Sequence, residues 1–264
     1  MDGTRSVAAA EKNFAVASRE KGMGTAALET FAEDATSFGP APINGRNFWR
    51  AHLNDPEVLI WKPTFVACSH GADLGYTTGP WELQKNRTDP TSLAFGDYVT
   101  IWKFSSDAKW KVALDIGITH AAPTQPETPV ELSTFDPGSA DHDPDLTKRA
   151  LLKAQRSFLE SAKKDCGQAI LAAAANEIRI LRPGSLPATG LVGARLMLST
   201  DHAKEVRKFS GSFMSRSGDL TYTYGEFTAL RGETKEQGYY LMIWKIDLNG
   251  DWKFVLDLEK HGPS

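Results

Sequence analysis

The sequence predicts an α+β protein made of two copies of one domain, and three observations predict it. Residues 96–115, GDYVTIWKFSSDAKWKVALD, return as residues 238–257, GYYLMIWKIDLNGDWKFVLD, with Gly, Tyr, Ile-Trp-Lys, Trp-Lys and the closing Asp at one internal spacing and an offset of 142. Upstream, Asp73-Leu74-Gly75-Tyr76-Thr77 with Gly79 is echoed by Asp219-Leu220-Thr221-Tyr222-Thr223 with Gly225, at an offset of 146. Each copy opens with helical periodicity and closes with β-rich alternation. A repeat this long duplicates a whole domain, not a short solenoid unit.

The chain has 264 residues and a mass of 28.9 kDa, near the size at which one core gives way to two. The copies occupy residues 1–120 and 146–264. Between them, residues 121–145 carry five prolines and several acidic side chains with no hydrophobic period, which reads as a semi-extended linker.

Within the first copy, Phe14 and Ala17, then Ala27, Leu28 and Phe31, recur at helical spacing, with Gly22 and Gly24 breaking the run in two. In the second copy Leu151, Leu152, Phe158 and Leu159 do the same, with the break at Cys166-Gly167. A Pro-x-x-Gly segment follows in each, Pro42 to Gly45 and Pro187 to Gly190, then a third helix at Arg46–Leu53 or Leu191–His202. Strands fill the rest. Asn249-Gly250 is a strong hairpin turn because both positions tolerate φ > 0, and centring the turn there pairs Trp244 with Val255. The first copy has Asp107-Ala108 in its place. Alternation then puts Val99, Ile101, Trp110, Val112 and Leu114 on one apolar face, expected to pack on the helices. Tyr98, Thr100, Trp102, Lys111 and Asp115 fall on the other, expected to be partly exposed or in an interface.

Composition excludes several classes. A net charge of −3 without a dense Lys/Arg run argues against nucleic acid. The longest apolar stretch, Ala169 to Ala175, is far too short to span a bilayer. Cys68 and Cys166 stand at non-corresponding places in the two copies, so both read as packing residues. His70, His120, His142, His202 and His261 show no metal-ligand spacing, and no phosphate loop or nucleophile motif is present, so neither metal nor cofactor is expected. The opening MDGTRSVAAAEK has no apolar core and reads as the start of a helix; the compartment stays open.

Three helices followed by an antiparallel meander that ends in Trp-Lys, Trp-Lys and Asp resemble the nuclear transport factor two-like superfamily. Within it the chain is similar to SnoaL-like and ketosteroid-isomerase-like proteins. The resemblance is carried by Phe31-Ala32-Glu33-Asp34-Ala35, Pro42 to Gly45, Gly75-Tyr76-Thr77-Thr78-Gly79, Gly96-Asp97-Tyr98, Trp102-Lys103 and Trp110-Lys111 through Asp115, and it covers both copies without the linker. It implies two cone-shaped domains, each a curved sheet wrapped around about three helices with a pocket at the open end. It also implies pairing through sheet faces, here an intrachain pseudo-dimer with the Trp102 and Trp244 faces in contact, and leaves room for a further homo-oligomer.

Enzymes of that family move protons with a carboxylate in a dry cone, while a Tyr or a neutral acid stabilises the oxyanion. Candidate groups in the first copy are Asp34, His52, Asp73, Tyr76, Asp97, Tyr98 and Asp115. Asp34 also reads as a helix end and Asp73 as a turn. Asp115, which recurs as Asp257, also reads as the partner of Lys111 in a repeated ion pair, Asp257 with Lys253 being the second. His52 and Asp115 are the catalytic candidates. Asymmetry adds a second clue, because Trp49, His52, Trp61 and Trp81 belong to the first copy alone. With Tyr76, Tyr98 and Trp102 they suit a pocket for a small apolar or aromatic molecule, although tryptophans also simply fill a larger core. Arg179, Arg182 and Arg195, near the mouth of the second copy, could hold an anionic group, although exposed arginines on loops are commonplace. The expected function is small-molecule binding, mainly in the first domain. The alternatives are an acid–base isomerase, dehydratase or cyclase, and a protein-interaction module.

Overall fold

A computed structural model describes residues 2–39, 41–123, 129–133 and 144–262. The chain divides into two compact units, Met1–Phe135 with Gly184–Leu186, and Asp136–Pro183 with Pro187–Ser264. The first unit opens with α1 (Gly3–Lys21), which starts where the Asp2 carboxylate accepts the backbone N–H groups of Thr4 and Arg5. Val7, Glu11, Phe14 and Ser18, at spacings of four, three and four, form its buried stripe. Gly22, at φ 90°, ends α1 and lets the chain turn into α2 (Met23–Thr30). Then come β1 (Phe31–Phe38), β2 (Pro42–Asn44), α3 (Gly45–Ala51), β3 (Val58–Trp61), β4 (Phe65–Cys68), β5 (Leu74–Gln84), β6 (Ser92–Phe104), β7 (Trp110–His120) and β8 (Glu131–Leu132). The strand order is β2-β1-β7-β6-β5-β4-β8, with β3 also paired to β5.

The second unit repeats the plan with α4 (Pro144–Ala162), α5 (Cys166–Ala173), β9 (Ala174–Leu181), β10 (Ala188–Thr189), α6 (Gly190–Leu198), β11 (Lys204–Met214), β12 (Leu220–Arg231), β13 (Thr234–Ile246) and β14 (Trp252–His261). Its sheet runs β10-β9-β14-β13-β12-β11. Both units are α+β, as expected. The sheets are mixed, not purely antiparallel, because β1 runs parallel to β7 and β9 parallel to β14. Part of the segment expected to be a linker is a strand: β8 lies parallel to β4, with the Glu131 N–H 2.8 Å from the Thr64 carbonyl oxygen. Asp141, His142 and Asp143 lie outside the described residues.

The expected sheet faces come out differently, and a β-bulge is the reason. Between Ile101 and Trp102 the register shifts, so Trp102 faces Val112 while Ile101 faces Leu114. In the second unit the same shift pairs Trp244 with Phe254, not Val255. One extra residue inverts the parity beyond it. Trp110 and Val112 therefore share a face with Tyr98 and Trp102, and Val99, Ile101 and Leu114 take the other. Tyr98, Trp102 and Val112 belong to the first core together with Val7 and Phe14 of α1. The Trp102 ring lies 6.3 Å from Phe14, and Trp244 lies 6.2 Å from Phe158. The Trp102 and Trp244 faces are thus taken up by each unit's own helices and are not exposed interfaces.

Smaller corrections follow. Phe31 caps α2, its N–H bonding the Ala27 carbonyl, and at once begins β1, and Asp34 is exposed on that strand. Lys111 donates to the Glu29 carbonyl. Asp257 is held by Arg182 and Arg207, so the Lys253 pairing is replaced by a buried one. Asp73 accepts from the Ser69 hydroxyl at 3.1 Å within the β4–β5 turn, and Asp219 repeats this with Ser215 at 2.7 Å. Among the described residues no helix is long and apolar enough to cross a membrane.

Candidate functional site

The helix-facing side of the first sheet gathers most of the chemistry-bearing residues. Along it run Gly75, Thr77, Gly79 and Trp81 of β5, Gly96, Tyr98, Thr100 and Trp102 of β6, and Val112, Asp115 and Gly117 of β7. Glu11 of α1 meets this surface and is fully buried. Its carboxyl accepts from the Trp61 indole N–H at 2.5 Å and the Thr77 hydroxyl at 2.5 Å. A third bond comes from the Trp102 indole N–H at 3.0 Å. Burial pushes the Glu11 carboxyl from its ordinary 4.5 up to about 7. The three donors oppose that rise, and the charge of Asp115 adds to it.

Asp115 lies close to this group and is half-buried, with the Thr100 hydroxyl donating to it at 2.7 Å. Tyr98 is buried, and its hydroxyl makes no hydrogen bond; Thr77 lies near it without bonding geometry. Burial first, then the charges of Glu11, Asp115 and Asp97, hold the phenol well above its ordinary range. The Trp49 indole N–H is a second buried donor without an acceptor. Trp81 lies over Gly96 and Gly117: a Cβ on Gly96 would meet its ring at 2.4 Å, and one on Gly117 would stand 3.3 Å from its indole nitrogen.

Five of the six expected ligand-binding residues, Trp49, Trp61, Trp81, Tyr98 and Trp102, therefore belong to one core with the helices. Tyr76 does not join them. It lies on the opposite sheet face, paired with Ile101, with its ring 5.6 Å from Phe65. Of the two catalytic candidates, Asp115 joins the Glu11 group. His52 does not. It caps the end of α3, its Nδ1–H donates to the Phe48 carbonyl at 2.7 Å, and its ring packs on Phe48. Asp97 pairs with His120 Nε2 at 2.8 Å near the strand end. Glu11 was not anticipated, although its spacing to Val7 and Phe14 places it on the buried stripe of α1.

The equivalent region of the second unit is filled by ions. Arg207 donates to Glu205, Asp257 and Glu259, and Arg182 pairs with Asp257 at 2.6 Å and Glu259 at 3.0 Å. Burial raises Asp257, but Arg207 and Arg182 outweigh it and hold the group below its ordinary range. Glu259 is pushed up to about 8, by burial first and then by Glu205, against the opposing pull of Arg182. Gln155 stands where the first unit has Glu11, as Phe158 stands for Phe14. Cys166, Glu205 and Glu259 come within ion-sharing distance, but the Arg207 guanidinium already bonds both carboxylates.

No protein-family model matches this chain, and no curated protein matches it either. Solved structures similar to it include a nuclear transport factor two-like protein and a ketosteroid isomerase-like protein. A ketosteroid isomerase-like protein from Erwinia carotovora is 12% identical over 47% of this chain and 99% of its own, with a TM-score of 0.37. A putative scytalone dehydratase from Novosphingobium aromaticivorans is 14% identical over 45% of this chain and 87% of its own, at 0.37. A nuclear transport factor two-like protein from Shewanella oneidensis is 9% identical over 42% and 97%, at 0.35. Each accounts for less than half of this chain.

Proposed function

We propose that the first unit binds a small, flat, largely apolar molecule on the helix-facing side of its sheet, above Gly117 and beside Asp115. One contrast carries this reading. Asp115 and Gly117 lie in mid-strand yet remain half-buried, whereas their equivalents Asp257 and Glu259 are 0% and 2% exposed behind two arginines. The first unit leaves these two positions partly exposed where the second buries them. The core beneath them is aromatic, and the Tyr98 hydroxyl and the Trp49 indole N–H are donors that a ligand oxygen would satisfy.

Differential scanning fluorimetry against flat aromatic, steroid-like and polyketide-like compounds tests this reading. At least one compound should raise Tm, and Gly117→Leu should remove that shift while the unliganded protein stays folded. A Cβ at Gly117 starts 3.2 Å from the Asp97 carbonyl oxygen and 3.3 Å from the Trp81 indole nitrogen, so the Trp81 ring must give way to the new side chain, and circular dichroism of the variant checks that the fold is kept. A shift that survives Gly117→Leu, or a panel without any shift, contradicts the reading.

A second reading is favoured by Glu11. A carboxyl that titrates at about 7, in the field of a half-buried carboxylate, holds and releases a proton near neutral pH. On a bound carbonyl compound that supports isomerase, dehydratase or cyclase chemistry. Turnover should then follow the ionisation of Glu11 and be lost in Glu11→Gln; unchanged turnover in that variant rules the reading out.

A further inference from the structure

On α4 the charge runs against that of the chain. Residues 144–164 hold six Lys or Arg against two Asp or Glu, whereas the net charge of the whole chain is −3. Burial of Leu151, Phe158 and Ala162 in the second core fixes how the helix is turned. Arg149, Lys153 and Arg156, at spacings of four and three, then share its exposed side with Leu152 and Ser157. A depression of about 500 Å³ runs along that side, lined by these five residues and Glu160.

Among the described residues Arg149, Lys153 and Arg156 have no ion-pair or hydrogen-bond partner, and the Glu160 carboxylate is taken by Lys163 at 2.7 Å. Leu152 is 48% exposed beside them. The matching side of α1 differs. Counting from the equivalence of Glu11 with Gln155 and of Phe14 with Phe158, Ala8 and Ala9 stand where α4 has Leu152 and Lys153. Arg5, in the place of Arg149, is paired with Asp2 at 3.2 Å. The fold therefore does not require a cationic, leucine-bearing face at this helix, and one copy alone has it.

The arrangement limits the occupant. Arg149 and Arg156 stand about 10 Å apart along the helix, at roughly 1.5 Å per residue, so the cations form a row and do not converge on one compact anion. A bilayer needs a broad apolar contact, whereas Leu152 is the one apolar residue lining the depression. A row of cations over a floor of one leucine and alkyl stems instead matches a second helix with carboxylates at the same spacing. We propose that the outer side of α4 docks an acidic amphipathic helix of a protein partner, its carboxylates at i, i+4 and i+7 against Arg149, Lys153 and Arg156 and an apolar side chain against Leu152.

Fluorescence anisotropy of the full chain with a labelled, alanine-rich helical peptide is the test. The peptide carries Glu at i, i+4 and i+7 and Leu at i+3; one control scrambles that composition around the helix, and another has Gln for Glu. The patterned peptide should bind about ten-fold more tightly than either control, and more weakly as salt is raised. Arg149→Ala combined with Arg156→Ala should weaken it about ten-fold and Leu152→Ser about three-fold, while Arg5→Ala leaves it unchanged. Circular dichroism confirms the fold of each variant. Equal binding of the scrambled peptide, full binding by Leu152→Ser, or no binding of the patterned peptide overturns the proposal. So does tighter binding to phosphatidylserine–phosphatidylcholine vesicles or to a short DNA duplex, which would assign this face to a membrane or a polyanion.

Discussion

Replacing Glu11 by Ala destabilises the first unit by about 3–5 kcal/mol, because it leaves the Trp61 indole N–H and the Thr77 hydroxyl buried without an acceptor, at roughly 1–3 kcal/mol for each, and leaves the Trp102 indole N–H with the Thr77 hydroxyl oxygen alone at 3.2 Å. Glu11→Gln keeps the shape and an accepting oxygen, so its cost is smaller, and it removes a titration. The sign of that titration is opposite to the usual one for a carboxylate. The folded-state group holds its proton until about pH 7, whereas the unfolded chain loses it near 4.5. Between those values the folded state binds more protons, so stability falls as pH rises, by roughly 3 kcal/mol in total. Below about pH 4.5 the contribution is fully present, and above about 7 it is gone. Urea unfolding from pH 4.5 to 8, with hydrogen exchange of the β6 and β7 amides to assign the loss to this unit, checks both statements. The parent should lose protection across that window, and Glu11→Gln should stay flat.

The second unit answers to a different substitution. Arg207→Met leaves Glu205 buried without its cation and Asp257 with Arg182 alone, which costs about 3–5 kcal/mol. Glu259 contributes less to this at neutral pH, since it holds its proton up to about 8. Replacing Arg207, Glu205 and Asp257 together by apolar side chains should cost less than the single change, because three desolvated charges are removed together while Arg182 keeps Glu259 at 3.0 Å. Thermal or urea unfolding of the single and triple variants, with exchange of the β13 and β14 amides, measures the difference. A triple variant no more stable than the single one would mean that the network contributes favourable energy beyond neutralising itself.

Much of this plan was legible from the repeat. Two copies of Gly-x-Tyr, Trp-Lys and Asp at one spacing mark β6–β7 and β13–β14. Residues at equal offsets whose chemistry differs, such as Trp81 against Phe227, mark where the copies diverge. The faces were not legible, because a bulge at Ile101–Trp102 changes parity without changing composition, and period-two reasoning cannot detect an inserted residue. Glu11 was hidden by its type. A Glu within Glu-Lys-Asn reads as a solvated helix position, and only its place on the Val7–Phe14–Ser18 stripe gives it away. Its partners come from β3, β5 and β6, far along the chain, so no local motif records them. His52 was drawn in by its spacing from Trp49, but the end of α3 needs its N–H more than any ligand does. Tyr76 recurs as Tyr222, and that recurrence reports packing on the opposite face. The ion network escaped for a related reason: Arg182, Glu205, Arg207, Asp257 and Glu259 come from separate strands and loops, and each alone looks like surface charge.

The account depends most on a difference between the units: an accessible site in the first and a sealed one in the second. The chain has seven tryptophans, five in the first unit and two, Trp244 and Trp252, in the second. Their indole N–H resonances, assigned by single Trp→Phe variants and followed during titration with a flat aromatic compound that raises Tm, report on both units at once. The account predicts that the Trp81 and Trp49 signals move to saturation while Trp244 and Trp252 stay fixed. Movement of the Trp244 or Trp252 signals with the first-unit signals unmoved would contradict it.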